Sequence, residues 1–269
     1  MAEVDSPRAS RDDRAMHIPE PIPSQIHDEQ FAGVSYHIRG ELVPELQVDL
    51  GDVGVMHEHH VLLWKETSVN IELRKLKGAV KRKIAGLDFF VTRALGPGRV
   101  AFSRDSVGQC IPLHLSQGQE LHVREHQFIA ATDNLDYTFE RVKGVRNMLV
   151  GGSGFFIDKF RATNGDALVW LHGHGNVFMV NLEPGEQIDV EAGGWLFKDP
   201  TVQLEAVTMG LKTGLMGGGG KLTWNRFTGP GRLAIQTLFI APLETGVGGK
   251  TEAAATGGVA GALIRGIGG

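Results

Sequence analysis

The sequence predicts an all-β protein made of three tandem β-sandwich repeats of about 66 residues each. Three observations predict it. Glycines closing successive segments, Gly78 in KLKG, Gly144 in RVKG and Gly210 in VTMG, stand 66 residues apart. Segments in the middle of each repeat alternate apolar and other residues with period two, the mark of a half-buried strand. Gly- and Pro-rich turns fall at matching places, and helix signals are few.

The opening strand of each unit follows the closing glycine by 11 residues: FFVTR from Phe89, FFIDK from Phe155 and KLTWNR from Lys221. A turn comes next, ALGPGR, RATNGD or FTGPGR, in which Pro presets φ and Gly supplies the remaining conformations. The middle strands carry Leu46, Val48 and Leu50, then Ile111, Leu113 and Leu115, then Phe178, Val180 and Leu182. Each ends in a glycine, Gly51, Gly118 or Gly185, read as a hairpin turn. Beyond it, Leu121 and Val123 match Ile188 and Val190, and Phe128-Ile129 match Trp195-Leu196. Repeat boundaries near 31–85, 86–151 and 152–245 follow. The first unit is the most diverged, lacks a clear opening strand before Phe31 and starts its pattern near Tyr36. The best helix candidate, Gly78–Ala85, is at most a short turn. Each unit holds about six strands, too many residues for a propeller blade.

The flanks differ in composition. Residues 1–30 mix Pro, Asp, Arg and Ser without a sustained period, and read as a flexible arm. Residues 246–269 are Gly- and Ala-rich and read as a flexible tail, in which Val259, Leu263, Ile264 and Ile267 could touch a membrane or a partner. The opening MAEVDSPRASRDDRAMHIPEPIPS has no apolar core of a secretory signal, and its acids Glu3, Asp5, Asp12 and Asp13 argue against a transit peptide. A cytoplasmic location is expected, with peripheral membrane contact as the variant. The net charge of −4 gives no global attraction to nucleic acid, and nucleic acid is not an expected partner. The single cysteine, Cys110, rules out a disulfide framework within the chain and reads as a small apolar residue beside a strand.

Two patterns could carry chemistry. The first is Gly51-x5-His57-x-His59, where strand alternation would put His57 and His59 on one face, able to share a metal. His126 is read as the repeat counterpart of His59, and a second His-x-His, His172 and His174, sits in an apparent glycine-rich turn, HGHG. The spacing also opens the first cupin motif. Leu63 and Trp64 occupy the places of the cupin Glu, Glu66 lies too far along, and a second motif is absent. These histidines are weak metal candidates, and no catalytic residue and no cofactor is assigned. The second pattern is the basic run Arg74, Lys75, Lys77, Lys81, Arg82 and Lys83, six charges within ten residues that could meet phosphates or lipid headgroups. Its counterparts Arg141, Lys143 and Arg146 are basic, but the third unit keeps only Lys212, and no aromatics interleave for base stacking. The run Gly217–Gly220 has no G-K-[ST] ending, and its counterpart Gly151-Gly152 marks it as a turn.

Three stretches, VRNMLVGGSGFFIDKF, GLMGGGGKLTWNRFTGPGRLAIQTL and the LEPGE turn, resemble the Altered Inheritance of Mitochondria twenty-four family over about residues 31–245. The resemblance implies a fold similar to the tryptophan RNA-binding attenuation protein, a short double-stranded β-helix in three internal copies. It further implies a homo-oligomer, with a trimer favoured, and a role in membrane organisation through a protein or membrane-surface partner. It supplies no catalytic residues, and the HEHH run at His57–His60 departs from it. The expected function is a non-enzymatic scaffold or binding protein. The alternatives are a cupin-like metal protein using His57 and His59, and an RNA-binding ring using the basic run.

Overall fold

The computed structural model describes residues 17–22, 27–75, 90–142, 155–191, 193–208 and 223–238. Within them the chain is all-β, with one short 3-10 turn at His59–Val61. No helix among the described residues is long and apolar enough to cross a membrane.

The strands are β1 (Glu20–Pro21), β2 (His27–Phe31), β3 (Val34–Arg39), β4 (Glu45–Leu50), β5 (Val55–His57), β6 (Leu62–Lys65), β7 (Asn70–Lys75), β8 (Phe90–Leu95) and β9 (Gly98–Phe102). They continue as β10 (Gly108–Leu115), β11 (Glu120–Arg124), β12 (Phe128–Thr132), β13 (Leu135–Val142), β14 (Phe155–Ala162) and β15 (Ala167–His174). The last six are β16 (Val177–Leu182), β17 (Gln187–Glu191), β18 (Trp195–Lys198), β19 (Gln203–Thr208), β20 (Thr223–Thr228) and β21 (Gly231–Gln236).

One pairing scheme recurs along the chain. The ladders β4-β9-β6, β10-β15-β12 and β16-β21-β18 are equivalent, as are β5-β8-β7, β11-β14-β13 and β17-β20-β19. Each run of six strands thus splits into two antiparallel three-stranded sheets, with its first four strands falling alternately in one and the other. This is the strand order of a short double-stranded β-helix. The same irregularity marks all three copies. A bulge interrupts the third strand between Leu62 and Trp64, between Phe128 and Ala130, and between Trp195 and Phe197. Neighbouring copies join through β12·β5 and β18·β11.

The structure corrects four expectations. Gly51, Gly118 and Gly185 do not close hairpins, because β4 and β5, and their counterparts, lie in different sheets. Period-two alternation says which face of a strand is buried, not which strand lies beside it. The six-strand pairing units span 45–102, 108–174 and 177–236, so the first two each straddle two of the predicted repeats and the third falls within one. A periodic sequence has no intrinsic phase, so its period alone cannot place the boundary. The first unit is preceded by a strand the sequence hid. β2, HDEQF, is nearly all polar, and its register comes from pairing with β3, Glu29 against Tyr36. Part of the expected N-terminal arm is held, since β1 pairs with β16 and His17 Nδ1 bonds Glu186 at 2.9 Å. The candidate helix at 78–85, the glycine run at 217–220 and the tail at 246–269 lie outside the described residues.

The core is three apolar clusters, each centred on one six-strand unit and completed by residues of a neighbouring unit. Trp170, Trp195, Tyr36, Phe102, Phe160, Phe197 and Phe227 are its largest fully buried side chains. Tyr36 on β3 meets Trp170 edge-on at 5.2 Å between ring centroids, which lays the N-terminal hairpin over the second unit. Gly98 and Gly231 illustrate the repeat at atomic scale. Both have φ near +130° (134 and 133), and a Cβ there would press on Ser68 and Val69 in one copy and on Thr201 and Val202 in the other.

Candidate functional site

The described candidates fall in four places: the first histidine pair, a second histidine pair, the basic run and an apolar cleft.

His57 ends β5 in the buried interior, its Nδ1 2.8 Å from the carbonyl oxygen of Glu58 and its ring 4.8 Å from Phe102. The strand stops there. Glu58 is extended, and His59 opens the 3-10 turn, so the alternation expected to align His57 with His59 does not run through them. The side chain of His59 lies outside the described residues. His126 is exposed in the turn between β11 and β12, with φ of 66°. The ladder registers make its counterpart His60 rather than His59, because His57 matches Val123 and Leu62 matches Phe128. Among the described residues, no three His, Cys, Asp or Glu side chains converge as a metal site requires.

His172 and His174 are on a strand, not in a turn. Both belong to β15, and alternation puts them on one face, with ring centroids 4.9 Å apart. Gly173 reads as a turn signal in sequence but serves close packing, since a Cβ there would lie 2.1 Å from Val177 Cγ2. The Ser106 hydroxyl bridges the pair, 2.9 Å from His172 Nε2 and 3.2 Å from His174 Nδ1. One hydroxyl can donate to one ring and accept from the other, provided the ring that accepts is neutral. Burial, then the nearby His174 and Arg104, pushes His172 down to about 3. Burial, then Arg104 and Arg124, pushes His174 down to about 4. The pair is therefore neutral at pH 7. Arg104 reaches Glu58 and the Phe128 carbonyl oxygen, tying this cluster to the end of β5. The Ser106 loop was the missed member, because a serine 66 residues from its histidine leaves no local signal.

The basic run is only partly described. Arg74 donates to the Asp133 carbonyl oxygen at 3.1 Å and lines a polar hollow with Glu72, Leu73, Arg93 and Asp133. Lys75 ends β7, but its side chain lies outside the described residues, as do Lys77, Lys81, Arg82 and Lys83.

Two further buried cations serve the fold. Arg124 donates to the Gly193 carbonyl oxygen at 2.6 Å, and burial lowers its pKa to about 10. Lys198 donates to the Val202 carbonyl oxygen at 2.6 Å and lies 3.3 Å from His122 Nδ1. Burial, then Lys159, lowers it to about 8. An open cleft of about 620 Å³ is lined by His17, Ile18, Glu20 to Ile22, Ile38, Cys110 to Leu113, Met179 to Asn181 and Arg232. Its walls are mostly apolar, and the buried Cys110 thiol is pushed well above its ordinary range by desolvation, so it is not a nucleophile at neutral pH.

A further surface feature is a sheet edge. Among the described residues β6 pairs only with β9, and it exposes Leu63 and Trp64 at 57% and 38%. At the opposite end of the unit series, β17 pairs, among the described residues, only with β20.

Comparison with known proteins places these features in a family. The crystal structure of protein SPYM3_0169 from Streptococcus pyogenes shares the fold, with a TM-score of 0.59 and 20% identity, over 77% of this chain and 94% of that one. No curated protein matches the chain. The family model described as mitochondrial biogenesis AIM24 matches residues 36–238, from the inner strand of the N-terminal hairpin to the end of the third unit. The chain belongs to the mitochondrial biogenesis AIM24 family.

Proposed function

We propose that the protein is a non-enzymatic β scaffold that assembles with itself and presents the assembly to a protein or membrane-surface partner. The observation that carries this reading is the pair of open sheet edges, β6 and β17, one of them with exposed Leu63 and Trp64. An edge of this kind is a ready template for pairing with another chain. The titratable clusters support the same reading. The bridged histidines His172 and His174, the cation Arg124 and the cation Lys198 all tie buried strands to neighbouring loops through hydrogen bonds.

Native mass at micromolar concentration tests the proposal, with bound transition metal quantified on the same untagged sample. A discrete oligomer carrying less than about a tenth of an equivalent of metal is the expected result. A monomer with stoichiometric metal would replace the scaffold with the metal-protein reading through His57.

A further inference from the structure

Resting on the scaffold reading, we infer that β6 of one copy pairs antiparallel with β17 of a second copy, in a register the chain already uses twice within itself. The two internal junctions specify that register. At β12·β5, Ala130 faces His57 and Ala131 faces Met56. At β18·β11, Phe197 faces Val123 and Lys198 faces His122. The bulges and ladders make Trp64, Ala130 and Phe197 equivalent, and likewise Lys65, Ala131 and Lys198. On the receiving strand, His57, Val123 and Val190 are equivalent, and Met56, His122 and Asp189 are equivalent. The third junction of the series would therefore set Trp64 against Val190 and Lys65 against Asp189.

Each side carries what that junction needs. Leu63 and Trp64 are exposed, whereas their counterparts Ile129, Ala130, Leu196 and Phe197 are buried under the adjoining strand. On β17, Ile188 is half-buried and Asp189 exposed, whereas their counterparts Leu121 and His122 are buried. The charges match, a lysine opposite an aspartate. Asp189 now pairs with Arg226 at 2.7 Å, and its acceptor capacity leaves room for Lys65. The occupant is a second copy because this chain carries both halves of the register, and among the described residues the two edges stay unpaired. A donor edge on one unit and an acceptor edge on another make a head-to-tail contact, which builds rings or fibres rather than a two-fold dimer.

The test uses full-length protein. Sedimentation over a concentration series reads assembly, and mild oxidation of a mixture of Trp64→Cys protein with Val190→Cys protein reads register. Directly opposed antiparallel residues lie about 4.5–5.5 Å apart at Cα, within disulfide reach. The expected results are a covalent dimer from the mixture and assembly weakened at least about tenfold by Lys65→Asp, which opposes two carboxylates. Trp64 is exposed and Val190 is a buried residue on the edge strand β17, where cysteine is a modest reduction in size, and circular dichroism of each variant confirms folding. An oligomer that Lys65→Asp and Trp64→Glu leave unchanged would overturn the pairing while sparing the scaffold reading. A disulfide that forms only within a chain carrying both cysteines would overturn it in favour of internal closure. A wild-type monomer at every concentration would sink the scaffold reading itself.

Discussion

β18 and β6 are the same strand of the repeat in different surroundings. β18 lies between β21 and β11, and Trp195, Leu196, Phe197 and Lys198 are all buried. Among the described residues β6 lies beside β9 alone, and its run LLWK is mostly exposed. Both strands carry apolar residues at matching places, both carry the bulge, and both end in a lysine that donates to a loop carbonyl oxygen, Val202 for Lys198 and Val69 for Lys65. The difference lies in the neighbour, not in the strand. A side chain that seals one junction becomes an adhesive surface where the next unit is missing.

The largest effect should separate the two strands directly. Phe197→Ala removes a fully buried ring and should cost about 3–5 kcal/mol in urea unfolding. Trp64→Ala, at the equivalent place, should cost under about 1 kcal/mol in dilute solution where no second copy covers it. Equal losses would mean that β6 is already covered.

Acidification should strain the sealed interior next. His172 and His174 have folded-state pKa values of about 3 and about 4, below the ordinary 6.5. As pH falls from about 6.5, the unfolded chain takes up protons that the folded chain refuses, so stability drops. Each histidine contributes a slope of about 1.4 kcal/mol per pH unit between the two values. Replacing both with glutamine should flatten the stability profile between about pH 6 and pH 4, read by urea midpoints in a pH series.

The lysines should give a smaller contrast. Lys198→Met removes a buried donor to the Val202 carbonyl oxygen and should cost about 1–3 kcal/mol. Lys65→Met, on the open edge, should cost less than about 0.5 kcal/mol in thermal unfolding of the monomer. The smallest effect should come from Asp189→Asn. The exposed pair with Arg226 contributes only about 0.2–1 kcal/mol to folding, so the substitution should alter assembly more than stability.

Much of this was legible from residues alone. The strands at Leu46 to Leu50, Ile111 to Leu115 and Phe178 to Leu182 showed their alternation, and the family motifs pointed to a double-stranded β-helix. The site was less legible. His57 and His59 looked aligned because alternation was extended past the end of β5. HGHG looked like a turn because its glycine, needed for packing against Val177, resembles a glycine needed for φ. The polar strand β2 carried no alternation at all.

The amino-acid sequence by itself determined the all-β class, the repeating period and the buried face of most strands. Those properties are local, set by which side chains leave water and by where Gly and Pro permit a turn. Tertiary structure alone decided that consecutive strands belong to opposite sheets, where each six-strand unit begins, and that among the described residues β6 and β17 stay open while their counterparts are sealed. Backbone N–H and C=O groups bond equally well to any antiparallel neighbour, so partners are chosen by the packing of the whole chain.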